Sequence, residues 1–142
     1  MNKILIGVDG SASAEAAVRA VAELFGNSAG VHVTLLTVIR VVALATGTIE
    51  EPGSPGNPDS WAYFEQPRKI LRSAGIEPTL LLREGDPAGE IVAAAKEGGF
   101  DLIVVGHRGL SAIRSLVLGS VSQGVVAHAP CSVLVVRPEH EG

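Results

Sequence analysis

Five short apolar runs punctuate the chain: "KILIGV" at 3–8, "VHVTLLTVI" at 31–39, "EPTLLLRE" at 77–84, "FDLIVVG" at 100–106 and "SVLVVRP" at 132–138. Runs of this length, apolar with little polar alternation, are characteristic of strands covered on both faces. Most of the segments between them follow a different period. In "SAEAAVRAVAELF" (13–25), Ala14, Ala17, Val18, Val21, Leu24 and Phe25 share one helical face, with Glu15, Arg19 and Glu23 opposite. Ser11 or Ser13 can cap this helix, and Gly26–Asn27 ends it. "GDPAGEIVAAAKEGG" offers Asp86 as N-cap, Pro87 at the first helical position, an apolar face of Ile91, Val92 and Ala95, and a closing Gly98–Gly99. "GSVSQGVVAHA" (119–129) reads as a further helix, although Gly124 costs it about 1 kcal/mol relative to alanine. Strands alternating with helices predict an α/β fold. Its core is a single open five-stranded parallel sheet with helices on both faces, joined by right-handed crossovers.

The pattern lapses between the second and third runs. Residues 45–60, "ATGTIEEPGSPGNPDS", carry regularly spaced prolines and several glycines without an apolar period, which predicts a loop. In "SWAYFEQPRKILRSAG", Pro67 predicts either a kinked helix or one that starts near it. Trp61, Tyr63 and Phe64 read as the packing face of that imperfect helix.

A chain of 142 residues is expected to form one domain over 1–142, large enough to need neither disulfides nor metal. Cys131 is the only cysteine, so no internal disulfide can form, and it reads as a small buried hydrophobe. The net charge of −4, without a basic run, argues against nucleic-acid binding, which rests on phosphate neutralisation. The apolar stretch in "MNKILIGVDG" is too short for a signal peptide or a membrane span, so a cytoplasmic protein without a membrane partner is expected.

In open parallel sheets, ligands bind beyond the carboxyl ends of the strands, where strand order reverses. Asp9 follows the first strand, Val38 and Ile39 end the second, and Gly106 ends the fourth. If the first and fourth strands are neighbours, these residues line one crevice. After Gly106 the chain reads "GHRGLSAIRSLVLGSVS", with further glycines at 109 and 119. The helix after Gly119 offers unpaired N–H groups and the positive end of its dipole. Ser120 and Ser122 add hydroxyls, and Arg108 and Arg114 add charge. A phosphate chain could lie against such a backbone. The same spacing is also compatible with glycines that serve tight turns only. Asp9 could equally cap the helix that follows, and His107 reads as a solvated loop residue. His32, His128 and His140 show no ligand spacing. No G-x-x-x-x-G-K-[ST] and no G-x-G-x-x-G after the first strand occurs, and no G-x-S-x-G stands between a strand and a following helix as a nucleophile elbow would.

"VVGHRGLSAIRSLVLGSVSQGVVAHAPCSVLVV" resembles the G-x2-G-x9-G-[ST] signature of the universal stress protein family, in its ATP-binding branch. "ILIGVDGSASAEAAVRA" and "GDPAGEIVAAAKEGGFDLIVVG" resemble the family's first strand and helix and its third helix and fourth strand. The resemblance covers most of the chain outside about 41–70 and implies a nucleotide-binding, α/β hydrolase-like fold with strand order 3-2-1-4-5. It further implies that Asp9 lies beside the adenosine and that the backbone of Val38 holds the adenine edge. Gly106 and Gly109 would form the ribose and phosphate turn, next to Arg108, with Gly119, Ser120, Val121 and Ser122 binding the phosphates. The implied ligand is ATP, with Mg²⁺ as a companion and ADP or AMP as alternatives. The 41–70 segment departs from the family pattern, so a cover over the nucleotide would differ there.

The fifth strand would be a sheet edge, and "SVLVV" would invite pairing with another chain; the resemblance implies a homodimer through 132–137. No base or nucleophile is evident in the crevice, so at most slow ATP hydrolysis is expected. The leading reading is a regulatory, stress-response nucleotide-binding module. A weak ATPase or phosphotransferase, and a dimeric interaction module with an empty site, are the alternatives.

Overall fold

The apolar runs form one sheet in the computed structural model of the chain, which describes residues 2–44, 47–50, 58–108 and 118–138. The first half runs β1 (Lys3–Gly7), α1 (Ala12–Phe25), β2 (His32–Ile39), β3 (Val41–Leu44), β4 (Gly47–Glu50), a 3₁₀ helix (Pro58–Phe64) and α2 (Glu65–Ser73). It continues through β5 (Thr79–Glu84), α3 (Pro87–Gly98), β6 (Leu102–Gly106), α4 (Ser120–His128) and β7 (Ser132–Val136). The main sheet has the order β5-β2-β1-β6-β7, parallel throughout. Counting only its own strands, this is the expected 3-2-1-4-5.

Strand order reverses between β1 and β6, and the reversal puts helices on both faces, because each crossover keeps the same hand. On one face, Ile4, Ile6, Leu102 and Val104 pack with Ala14, Ala17, Val18 and Val21 of α1 and Leu71 of α2. On the other, Leu5, Ile103 and Val105 pack with Ile91, Ala94 and Ala95 of α3 and Val125 of α4. The two-residue alternation of a strand divides β1 and β6 between these layers. Each fully buried aliphatic side chain contributes about 1.5–3 kcal/mol of burial.

The helix boundaries follow their caps. Ser11, not Ser13, caps α1, its Oγ accepting from the Ala14 N–H at 3.1 Å. Leu24, at the rim of the apolar stripe in the last turn, is 62% exposed rather than packed. Asp86 caps α3 through Oδ2, which accepts from the Gly89 N–H at 2.9 Å, and Gly99 closes that helix with φ 63°. Gly124 has a packing reason to interrupt α4: a β-carbon there would lie 2.8 Å from Cβ of Ala88, at the start of α3.

Between β2 and β5 the structure departs from expectation. Residues 47–50, read as loop, form β4, which pairs antiparallel with β3 from Val41↔Glu50 to Leu44↔Gly47. The β-branched Thr48 and Ile49 suit a strand, and all the prolines of the segment come after the hairpin. Residues 45–46 and 51–57 of that segment lie outside the described residues. Pro67 falls in the first turn of α2, where its missing N–H has no intrahelical partner. Of the three aromatics only Phe64 is fully packed, while Trp61 is 49% exposed and lies tilted against it. Among the described residues, no helix is long and apolar enough to cross a membrane.

Candidate functional site

The strand register brings the expected residues to one level. Gly7 pairs with Leu36 in β2, and Ile6 with Val104 in β6. Carried past the end of β1, this register sets Asp9 level with Val38 on one side and His107 on the other. The junction is held by hydrogen bonds: the Val8 N–H donates to the Leu36 carbonyl at 2.9 Å, and the buried Thr37 hydroxyl donates to the Val8 carbonyl at 3.1 Å. Nothing in the period of the sequence singles out Thr37, since its role depends on which strand lies beside β2.

Asp9 turns the chain out of β1. Its Oδ1 accepts from the Ser11 N–H at 2.9 Å, and Ser11 in turn caps α1. Asp9 therefore supports the cap residue rather than capping the helix itself. Gly10 between them has φ 84°, a left-handed conformation that favours glycine. Val38 is half-buried and paired with Arg83 of β5. Arg83 binds Glu97 at 2.6 Å and Glu90 at 2.8 Å, and these two carboxylates hold its guanidinium pKa above the ordinary value.

Gly106 has a different immediate cause from the one its spacing implied. A β-carbon there would stand 2.5 Å from the backbone C and O of Ser13, so the close approach to Gly106 is made by the first turn of α1. His107, read from sequence as solvated, is buried. It prolongs the ladder at the end of β6, its N–H donating to the Val136 carbonyl at 2.8 Å. Its own carbonyl accepts from the Gly119 N–H at 3.0 Å, tying the start of α4 to the end of β6. Arg108 follows, half-buried. Gly109 and Arg114 lie outside the described residues.

Gly119 is the N-cap of α4 and brings no side-chain cap, so the first-turn N–H groups of Ser120, Val121 and Ser122 have no partner within the helix. Ser120 is exposed and Val121 half-buried. Ser122 is buried, and its hydroxyl donates to the Gly106 carbonyl at 2.6 Å, with the His107 carbonyl at 3.3 Å. A hydroxyl has one hydrogen to give, so what Ser122 offers outward is its backbone N–H. Among the described residues there is no group of three His, Cys, Asp or Glu side chains placed to hold a metal.

The universal stress protein family model matches residues 1–137, which takes in every strand, helix and corner described above. The chain belongs to this family. A universal stress protein of Bacillus subtilis, YxiE, is 32% identical over 96% of this chain and 99% of its own length. A universal stress protein solved in complex with cAMP is 27% identical, with a TM-score of 0.73 over 96% of each chain. An Arabidopsis thaliana universal stress protein family protein solved with AMP bound shares the fold, with a TM-score of 0.70 at 22% identity over 98% of this chain and 93% of that one. The five-stranded parallel sheet with helices is the fold that this chain shares with these structures.

Proposed function

We propose that this universal stress protein binds an adenine nucleotide at the carboxyl ends of β1, β2 and β6 and acts as a regulatory, stress-response module. One observation carries the reading: the register of β1 with β2 and β6, carried past the end of β1, sets Asp9 level with Val38 and His107, whose carbonyl accepts from the N–H of Gly119, the cap of α4. The two ends of such a site differ chemically. The helix N-terminus favours an anion, whereas the Asp9 carboxylate repels phosphate and accepts from hydroxyls. Phosphates would therefore lie at Gly119–Ser122, beside Arg108, and the nucleoside at Asp9 and Val38. The similar protein solved with cAMP supports an adenine ligand.

ATP, accompanied by Mg²⁺, is the proposed ligand, with ADP and AMP as alternatives. Asp9 stands at the nucleoside end, away from a terminal phosphate, so hydrolysis would be slow at most. The proposed unit is one cytoplasmic domain over residues 1–142, without a nucleic-acid partner in view of its net charge of −4. It would pair as a homodimer through 132–137, where β7 is the sheet edge.

Thermal unfolding with ATP, AMP and cyclic AMP, each with and without Mg²⁺, tests the reading beside a Gly119→Val, Ser120→Val double variant. At ligand concentrations about 100 times Kd, wild type should gain about 2.7 kcal/mol and a raised midpoint, and the variant should not. A wild type indifferent to all three nucleotides would leave a dimeric interaction module with an empty site.

A further inference from the structure

The aromatic segment after the hairpin reaches the site. Phe64, 2% exposed, anchors the end of the 3₁₀ helix in the core layer that also contains Val8 and Ala14. Tyr63, one residue earlier and half-buried, is thereby laid on the corner at the end of β1. Its ring carbons Cε1 and Cδ1 stand 3.0 and 3.1 Å from where a β-carbon on Gly10 would be. Gly10 sits at φ 84° between Asp9 and Ser11, whose hydrogen bond at 2.9 Å shapes the same corner. The tyrosine edge therefore occupies the space that the glycine leaves, and opposes movement of the turn that aims the Asp9 carboxylate.

We propose that Tyr63 is a positioning residue for the nucleoside end of the ligand: its ring edge holds the Asp9–Gly10–Ser11 corner, and with it the carboxylate that accepts from the ribose hydroxyls. The inference rests on the nucleotide reading above and refines it. The contact is made by ring carbons, so it belongs to the ring and not to the phenol oxygen. The contact is made to the β1–α1 corner, so its effect is expected at the nucleoside end rather than at the phosphates.

The test compares ATP with inorganic tripolyphosphate, a probe of the phosphate end alone, on the full chain. Binding is followed by the fluorescence of Trp61, the sole tryptophan, and by the shift of the unfolding midpoint. Tyr63→Ala should weaken ATP about tenfold, equivalent to about 1.4 kcal/mol, and leave tripolyphosphate affinity unchanged. Tyr63→Phe, which keeps Cδ1 and Cε1, should rescue the loss. Equal loss for both ligands would mean general loosening and overturn the assignment, as would undiminished ATP affinity in Tyr63→Ala or loss in Tyr63→Phe equal to that in alanine. Wild type that binds ATP but not tripolyphosphate would overturn the division of the site into two ends. Wild type that binds neither would overturn the nucleotide reading itself, and the role of Tyr63 with it.

Discussion

Gly106 and Ser122 are coupled by contacts that no ligand is needed to explain. The glycine admits the first turn of α1, and its carbonyl receives the serine hydroxyl that fixes the first turn of α4. A methyl group at 106 would press on backbone atoms of Ser13, which cannot rotate away as a long side chain could. Gly106→Ala is therefore expected to destabilise the fold by about 1–3 kcal/mol, the usual range for overpacking. The measurement is the urea midpoint at unchanged slope; an unmoved midpoint would show that α1 can shift without cost. The sequence shows that a side chain is missing at 106 but not which way it would have pointed. That direction follows from the face of β6 on which residues 102, 104 and 106 lie, and from the helix packed there.

Elements were the most legible scale wherever their signals are local. Asp86, Pro87 and Gly99 bound α3 as their chemistry predicts, because a cap bonds only to groups three or four residues away. Asp86→Ala should cost about 1 kcal/mol, with Asp86→Asn close to wild type, as read by thermal unfolding. Equal stability of all three proteins would mean that tertiary packing alone sets the start of α3. The hairpin of β3 and β4 was less legible. Its strands are four residues each, too short to set up a clear period, and the prolines that follow dominate the composition of the segment. In the 3₁₀ helix, local propensity does not distinguish Phe64, which is buried, from Trp61, which is half exposed.

At the scale of the whole molecule, one reversal of strand order determines both the crevice and the open edge. Because β6 lies on the other side of β1 from β2, the ends of β1, β2 and β6 stand side by side, and among the described residues β7 is left with one side unpaired. The Val136 carbonyl accepts from His107, so residues 132, 134 and 136 face β6, and Val133 and Val135 turn their N–H groups to the edge. Val135→Pro removes one outward N–H and spares the ladder to β6. If copies pair through this edge as proposed, the substitution should convert a dimer to a monomer in sedimentation, with the circular-dichroism spectrum retained. A dimer that persists in Val135→Pro would place the interface elsewhere.

The alternation of the main-sheet strands with helices and the caps of α3 were determined by the sequence by itself. Each rests on a period or on a bond spanning a few residues, and a linear reading can follow both. Tertiary structure alone decided that α1 fills the space beside Gly106, that Ser122 bonds inward, that His107 is buried in the β6–β7 ladder and that Tyr63 covers Gly10. These contacts join residues far apart in the chain. Their partners are set by strand order, register and helix packing, which only the assembled sheet brings into being.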